Sequence, residues 1–368
     1  IPAAMPPEGF NQHSTLPTPY QSLGARGVRT LASKLLLALF PSVPFFNYRV
    51  DDQTLQKLGE QRGEIEKALA SRERAVNTEL ETSVFRPVAF VALLQLVIAG
   101  NALVYIPPKQ HERARAFRLD QYVTRRDAAG NLLEFIIEEE LDYLSLPEVV
   151  KAIVVADADE QQKLSDGEPK PIKLYTRGFL DTDGKWKVYQ EVCGREVPST
   201  RGIFKRDELP YLALRFSVQP SEHYGRAYVE EYLGDLDSLE ALSEALVEGS
   251  AASARILFLV DPAGTTSIQV VANSKTGDVK SGRAEDVTTM QVQKGADLQV
   301  AKAQAEEIGN RLAYAFLLHQ SIQRDSERVT AEEIRYMAAE LDDGLGGVYT
   351  LFAADFQLPA VRLFERRM

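Results

Sequence analysis

The sequence predicts an α+β fold, with long helices toward both ends of the chain and small regions of sheet between them. Three observations carry this reading. Apolar residues recur at helical spacing between residues 25 and 100, two strand pairs flank tight turns between 117 and 192, and helical periodicity returns from 226 onward. No segment repeats at a fixed period and no low-complexity tract interrupts the chain.

The first stretch, Ile1 to Pro19, holds five prolines before Tyr20 and reads as an extended arm. Ile1 is not a natural start, so residues upstream of it are expected. From Ala25 to Phe40, Val28, Leu31, Leu35, Leu36 and Leu39 form a wide apolar face that Pro41 terminates, which predicts a buried helix. Between Asp51 and Gly100 a long helical region is expected to break near Ser83 to Pro87, since proline suits only the first turn of a new helix. Gly100 sits where a left-handed C-terminal cap belongs. Phe117 to Thr124 and Leu132 to Ile137 flank the turn from Asp127 to Asn131, and Ile172 to Phe179 and Trp186 to Val192 flank Asp181 to Gly184. A continuous helix is expected from Arg226 to about Phe258. A strand-like insert to about Val300 follows, then a helix from Ala301 to Leu318, a polar loop, and a last helix from Ala331 to about Leu345.

With 368 residues, 45% hydrophobic and 26% charged, the chain can bury a sizeable core of two or three packed regions. Against 53 acidic residues there are 42 Lys and Arg, a net charge of -11, which disfavours tight binding to nucleic acid through phosphates. It does not disfavour a wall past which DNA must slide. The single cysteine, Cys193, excludes an internal disulfide and any cysteine-based metal site, and fits a reducing cytoplasm. No apolar run reaches the length of a membrane span, the nearest, Val88 to Ile106, being broken by Gln95, Gly100 and Asn101. No secretion signal is indicated at the start.

Enzymatic chemistry finds little support. His13, His111, His223 and His319 are far apart and none has a second ligand at metal-binding spacing, no phosphate loop ends in Lys-Ser or Lys-Thr, and no Gly-x-Ser-x-Gly elbow occurs. No cofactor is expected. The acid cluster Glu138, Glu139, Glu140 and Asp142 could bind a metal, but a solvated strand end is the favoured reading.

The informative feature is acidic. From Arg226 to Phe258 there are seven acids and two arginines, a net of -5, and helical steps of about 100° put Asp237, Glu240, Glu244 and Glu248 on one stripe with Leu236, Leu239, Leu242 and Leu246 on another face. Farther on, Thr330 and Glu333 form a capping box that pins a polar loop, Gln320 to Val329, between two helix ends.

Several stretches resemble the portal, or head-to-tail connector, proteins of short-tailed double-stranded DNA phages. They are Tyr20 to Gly27, Leu96 to Leu103, Glu230 to Leu236 and Val329 to Tyr336, with Pro262-Ala263-Gly264 and Lys275-Thr276-Gly277-Asp278 between the two long helices. The resemblance runs in order along nearly the whole chain. It implies a structural, non-enzymatic subunit of a ring of about twelve copies with an axial tunnel, through which the genome is packed and ejected. By position, residues 1–225 and 330–349 would form a wing, 226–258 and 301–319 two stem helices, 259–300 a clip, 320–329 a tunnel loop and 350–368 the start of a crown cut short. Arg324, Arg328, Gln323 and Asp325 would face DNA from the loop, and the acidic stripe would line the lumen. Pro262, Gly264, Lys275, Gly277 and Asp278 of the clip would meet partners.

Those partners, on the same resemblance, are the terminase large subunit, then a tail adaptor, together with the major capsid and scaffolding or internal core proteins. Double-stranded DNA would pass without sequence readout, and no membrane is involved. The expected location is the head-tail junction at one capsid vertex, with assembly in the host cytoplasm. Two other readings compete: another virion component such as a tail adaptor, or a metal-dependent nuclease built on the acids near Glu138.

Overall fold

A computed structural model describes residues 18–41, 44–50, 62–110, 112–157, 171–253, 257–274, 277–279, 281–290, 295–318, 339, 341, 345 and 347–368. The chain divides into two compact units, one comprising residues 1–16, 26–232 and 316–368, the other residues 17–25 and 233–315.

Helix α1 (Leu23–Leu39) buries the face its periodicity predicted, with Leu31, Leu35 and Leu39 fully enclosed. Helices α2 (Arg62–Thr82) and α3 (Phe85–Ala99) are separated at the expected break and meet at an angle of 69°. The break is made by Val84, which takes a left-handed conformation at φ 58°, unusual for a β-branched residue. No single helix among the described residues is long and apolar enough to cross a membrane.

Gly100 ends α3 at φ 69°, its N–H donating to the Leu96 carbonyl 2.9 Å away. The chain enters β1 (Asn101–Tyr105) directly. Buried Asn101 fixes this corner, its amide donating to the carbonyls of Ala99 and Gly225 and accepting from the Gly225 N–H at 2.7 Å.

Here the stretch from Phe117 to Thr124 departs from the single strand expected. Strand β2 (Arg115–Phe117) pairs with β1, a 3-10 turn over Leu119–Gln121 follows, and β3 (Tyr122–Arg126) joins another sheet. Gln121 reaches back to accept from the Arg118 N–H, which closes the corner and lets one segment serve two sheets. Strand β4 (Leu132–Leu141) is longer than expected, helix α4 (Glu148–Val155) comes next, and then β5 (Ile172–Leu180), β6 (Trp186–Val192), β7 (Arg195–Glu196), β8 (Gly202–Phe204) and β9 (Tyr211–Arg215). One sheet has the order β2-β1-β9; the other runs β3-β4-β5-β6-β7, with β8 on β6, and all described pairs are antiparallel. The two turns read from sequence close β3 to β4 and β5 to β6: Asp127 accepts from the Asn131 N–H at 2.8 Å, and Gly184 turns at φ 76°.

The helix expected over Arg226 to Phe258 is shorter and broken. One turn, α5 (Tyr228–Glu231), ends at Tyr232, and α6 (Leu233–Ser253) then spans about 31 Å rather than about 50 Å. Tyr228 and Tyr232 both pack on Phe316, with ring centroids 5.7 Å away in each case, and this anchorage holds Tyr232 out of helical geometry. Phe258 lies in strand β10 (Leu257–Val260), which pairs with β11 (Val287–Met290) across a short helix, α7 (Ile268–Ala272). Helix α8 (Gly295–Ala315) begins six residues before the expected Ala301, so residues 295–300 are helical rather than part of the insert. Finally α9 (Val348–Phe352), a π-helical turn (Ala353–Gln357) and α10 (Leu358–Arg367) return the chain to the first unit. Phe356 and Phe364 sit against Phe85, and Phe356 also against Phe40, at centroid distances of 5.0 to 6.0 Å.

Candidate functional site

The second unit is a pair of helices carrying a small two-stranded ribbon. Helices α6 and α8 run antiparallel, as two contacts near opposite ends require. Arg311 donates to Asp235 at 2.7 Å, and a Cβ on Gly249 would lie 2.8 Å from Leu298. The leucine face of α6 turns toward its partners, with Leu239 buried and Leu236, Leu242 and Leu246 partly so, and on α8 the partly covered positions Leu298, Ala301, Ala305 and Ile308 lead to buried Leu312 at coiled-coil spacing.

The acids of α6 face outward as their spacing predicted, with one exception. Asp237, Glu244 and Glu248 are exposed, whereas Glu240 is half-buried and accepts from the Tyr20 N–H at 2.6 Å. Over Leu233–Ser253 five acids stand against no base; over Gly295–Ala315 Asp297, Glu306 and Glu307 stand against Lys302 and Arg311. The pair therefore nets -5 and -1, or -6. Like charges at this spacing cost a few tenths of a kcal/mol each in an isolated helix, so the surface is not explained by the helix's own stability.

The ribbon is organised by a residue that sequence reading missed. One oxygen of Asp286 accepts from the N–H and the hydroxyl of both Thr265 and Thr266, at 2.9 to 3.2 Å. These bonds hold the Asp286 carboxyl below the ordinary carboxylate range, with the Thr266 hydroxyl the largest contributor. Gly264 is needed at this approach, because a Cβ there would lie 2.6 Å from the Asp286 side chain. Pro262 precedes it in the same turn, whose Gly264 N–H donates to the Asp261 carbonyl at 3.0 Å. Gly277 takes φ 93°, beside Asp278, while Lys275 lies outside the described residues. The partners of Asp286 are some twenty residues away along the chain, so no local motif announces it. The D286A substitution is expected to leave the first unit's melting unchanged while amides of Leu257–Val260 and Val287–Met290 lose hydrogen-exchange protection. Equal protection in wild type and variant would show that the ribbon does not depend on this carboxylate.

Gln323, Arg324, Asp325 and Arg328 of the polar loop, with the capping pair Thr330 and Glu333, lie outside the described residues.

The acid cluster near Glu138 does not converge. Strand alternation puts Glu138 and Glu140 on one face of β4 and Glu139 on the other. Glu138 pairs with Lys173 at 3.2 Å, Glu139 with Arg115, and Asp142 accepts from the Leu144 N–H at 2.8 Å. Among the described residues no group of three His, Cys, Asp or Glu side chains is placed to hold a metal ion.

Residues 7–368 match the family model described as bacteriophage head to tail connecting protein. The chain belongs to that family. The portal protein of Escherichia phage T7 is 39% identical over 375 residues, covering all of this chain and 69% of the relative, and that of Enterobacteria phage T3 is 39% identical over 374 residues with the same coverage. The portal protein of Enterobacteria phage SP6 is 33% identical over 365 residues, covering 98% of this chain and 69% of its own length. A solved chain from the virion of a native gene transfer agent particle aligns over 93% of this chain and 78% of its own, at 14% identity and a TM-score of 0.41. The connector is thus a structural portal protein of the virion, placed at the junction of head and tail.

Proposed function

We propose that this connector assembles into a closed ring of about twelve copies whose α6 and α8 line a channel for the packaged genome. One observation carries the reading: the second unit cannot cover its own apolar surface. Among its described residues only Leu239, Leu312 and Ala313 are buried hydrophobics, while Tyr314 is 77% exposed, Val300 62% and Val247 55%. Two amphipathic helices of this length need further neighbours, and identical copies side by side supply them. The outward acids then form a repeating negative surface that repels phosphate, so that DNA slides instead of sticking.

In this assembly residues 1–225 and 330–349 form the wing, the segment over residues 259–294 the clip, residues 320–329 the tunnel loop and residues 350–368 the start of a crown. The clip meets the terminase large subunit during packaging and a tail adaptor afterwards, with Pro262, Gly264, Lys275, Gly277 and Asp278 as the residues that take part. Capsid, scaffolding or internal core proteins surround the ring, which forms in the host cytoplasm. Negative-stain images of the purified chain test the central claim. Rings with a central hole are expected, and a uniform population of monomers at all concentrations would refute it.

The energy for packaging comes from a partner ATPase in this scheme, because the chain lacks a glycine-rich phosphate loop. Purified protein is expected to hydrolyse ATP no faster than a buffer blank, and turnover that co-purifies with the ring would overturn the assignment.

A further inference from the structure

The first unit contains a charged cleft that the channel does not use. It has a volume of about 380 Å³, and Arg126, Arg206, Arg215 and Arg362 line it together with Asp207 and Asp355. Four arginines against two aspartates leave a surplus of +2 in a chain whose net charge is -11. Asp207 is already paired with Arg366 at 2.8 Å, which lies outside the lining. Arg126 and Arg215 converge. Both donate to the carbonyl of Gly130, at 2.9 and 3.3 Å, and among the described residues neither forms an ion pair with a carboxylate. Arg126 also donates to the Ala213 carbonyl at 2.8 Å, and its Nε is buried without a partner.

Two guanidiniums held on neutral carbonyl oxygens alone, those of Gly130, Ala213 and Glu222, are costly to bury unless an anion completes the site. Burial and the neighbouring Arg215 push Arg126 down to about 10, against the pull of Asp355 and Asp127. Asp355, on the π-helical turn, faces both arginines as a single carboxylate against two guanidiniums, and burial holds it above its ordinary value although both arginines pull it down.

We propose that this cleft is a socket for a carboxylate, filled by an acidic side chain from a second copy of the chain. The inference rests on the ring reading above. Shape argues for a side chain: a concavity of this size admits one acidic residue, whereas a DNA duplex is a rod that needs an extended basic track. The walls fit the same occupant, because Trp186, Tyr211 and Leu363 offer apolar surface to an aliphatic stem. Charge argues for a second copy, since an identical chain presents 53 acids against 42 basic residues.

The test uses the full chain. Arg206 and Arg362 are exposed, so the double variant R206E/R362E should keep the circular dichroism and melting of wild type. Its rings are expected to dissociate at a protein concentration at least about tenfold higher than wild-type rings, the change that about 1.4 kcal/mol produces. In a second variant a photo-crosslinking benzoylphenylalanine replaces Arg362; it should join two copies through a peptide containing Asp or Glu. Monomeric wild-type protein would overturn the ring and the socket together. Rings of R206E/R362E as stable as wild type would overturn the socket alone. Crosslinks confined to one chain or formed to DNA would also overturn it, as would binding of inorganic phosphate at the cleft with no crosslink between copies.

Discussion

Heads built with the R324A/R328A double variant are expected to package DNA and then to lose it before a tail attaches. On the proposed assembly, about twelve copies of the loop from Gln320 to Val329 ring the narrowest part of the channel, each offering these two arginines beside Asp325 and Glu327. The acidic surfaces of α6 give DNA nothing to hold, so any grip on phosphate is concentrated here. Such a grip is electrostatic and blind to sequence, as a protein passing a whole genome requires. A barrier lowered by about 1.4 kcal/mol, summed over all copies, makes escape tenfold faster. Ring formation and wing folding should be unaffected, because substitutions in a polar connecting segment usually change stability little. The measurement is the fraction of packaged DNA that becomes nuclease-sensitive with time. It should rise in the variant and rise further at high salt, where phosphate contacts are already weak. Retention equal to wild type at both low and high salt would remove Arg324 and Arg328 from the mechanism.

What the sequence made legible was local chemistry. The turns at Asp127 to Asn131 and Asp181 to Gly184, the break at Ser83 to Pro87, the cap at Gly100 and the exposure of Asp237, Glu244 and Glu248 all follow from residues within one or two turns of each other. Misreadings arose where a distant partner decides. Leu257 to Val260 is a short apolar run that suits helix or strand equally, and it becomes strand because Val287–Met290 lies opposite. Phe117 to Thr124 reads as one strand until β1 claims its first residue and β4 its last. Arg126, Arg206, Arg215 and Arg362 come from four separate segments, so their cleft has no sequence signature. The same limit applies to Asp286 and to the Tyr20 contact that takes Glu240 out of the acidic stripe.

The largest effect on stability is expected from G100A. Gly100 takes φ 69°, a left-handed conformation that costs an alanine about 1–2 kcal/mol. A Cβ there would also lie 2.6 Å from the amide nitrogen of Ala227, and it would press on the carbonyl carbon of Arg226. Those are backbone atoms at the entry to α5, tied by the paired bonds between Arg226 and Ser217 and by the Asn101 bonds to neighbouring Gly225, so they cannot swing aside as a side chain would. Forcing an extra methyl into such a site costs a further 1–3 kcal/mol, for a total of roughly 2–5 kcal/mol. Gly184 supplies the control. It has φ 76° and open space for 4 Å around the position a Cβ would take, so G184A carries the conformational cost without the clash. Thermal melts of the two variants should therefore differ, G184A falling by a few degrees and G100A by on the order of 10 °C. Equal shifts would mean that the backbone at Arg226 and Ala227 yields freely, and that the corner joining α3, β1 and the approach to α5 is softer than its hydrogen bonds imply.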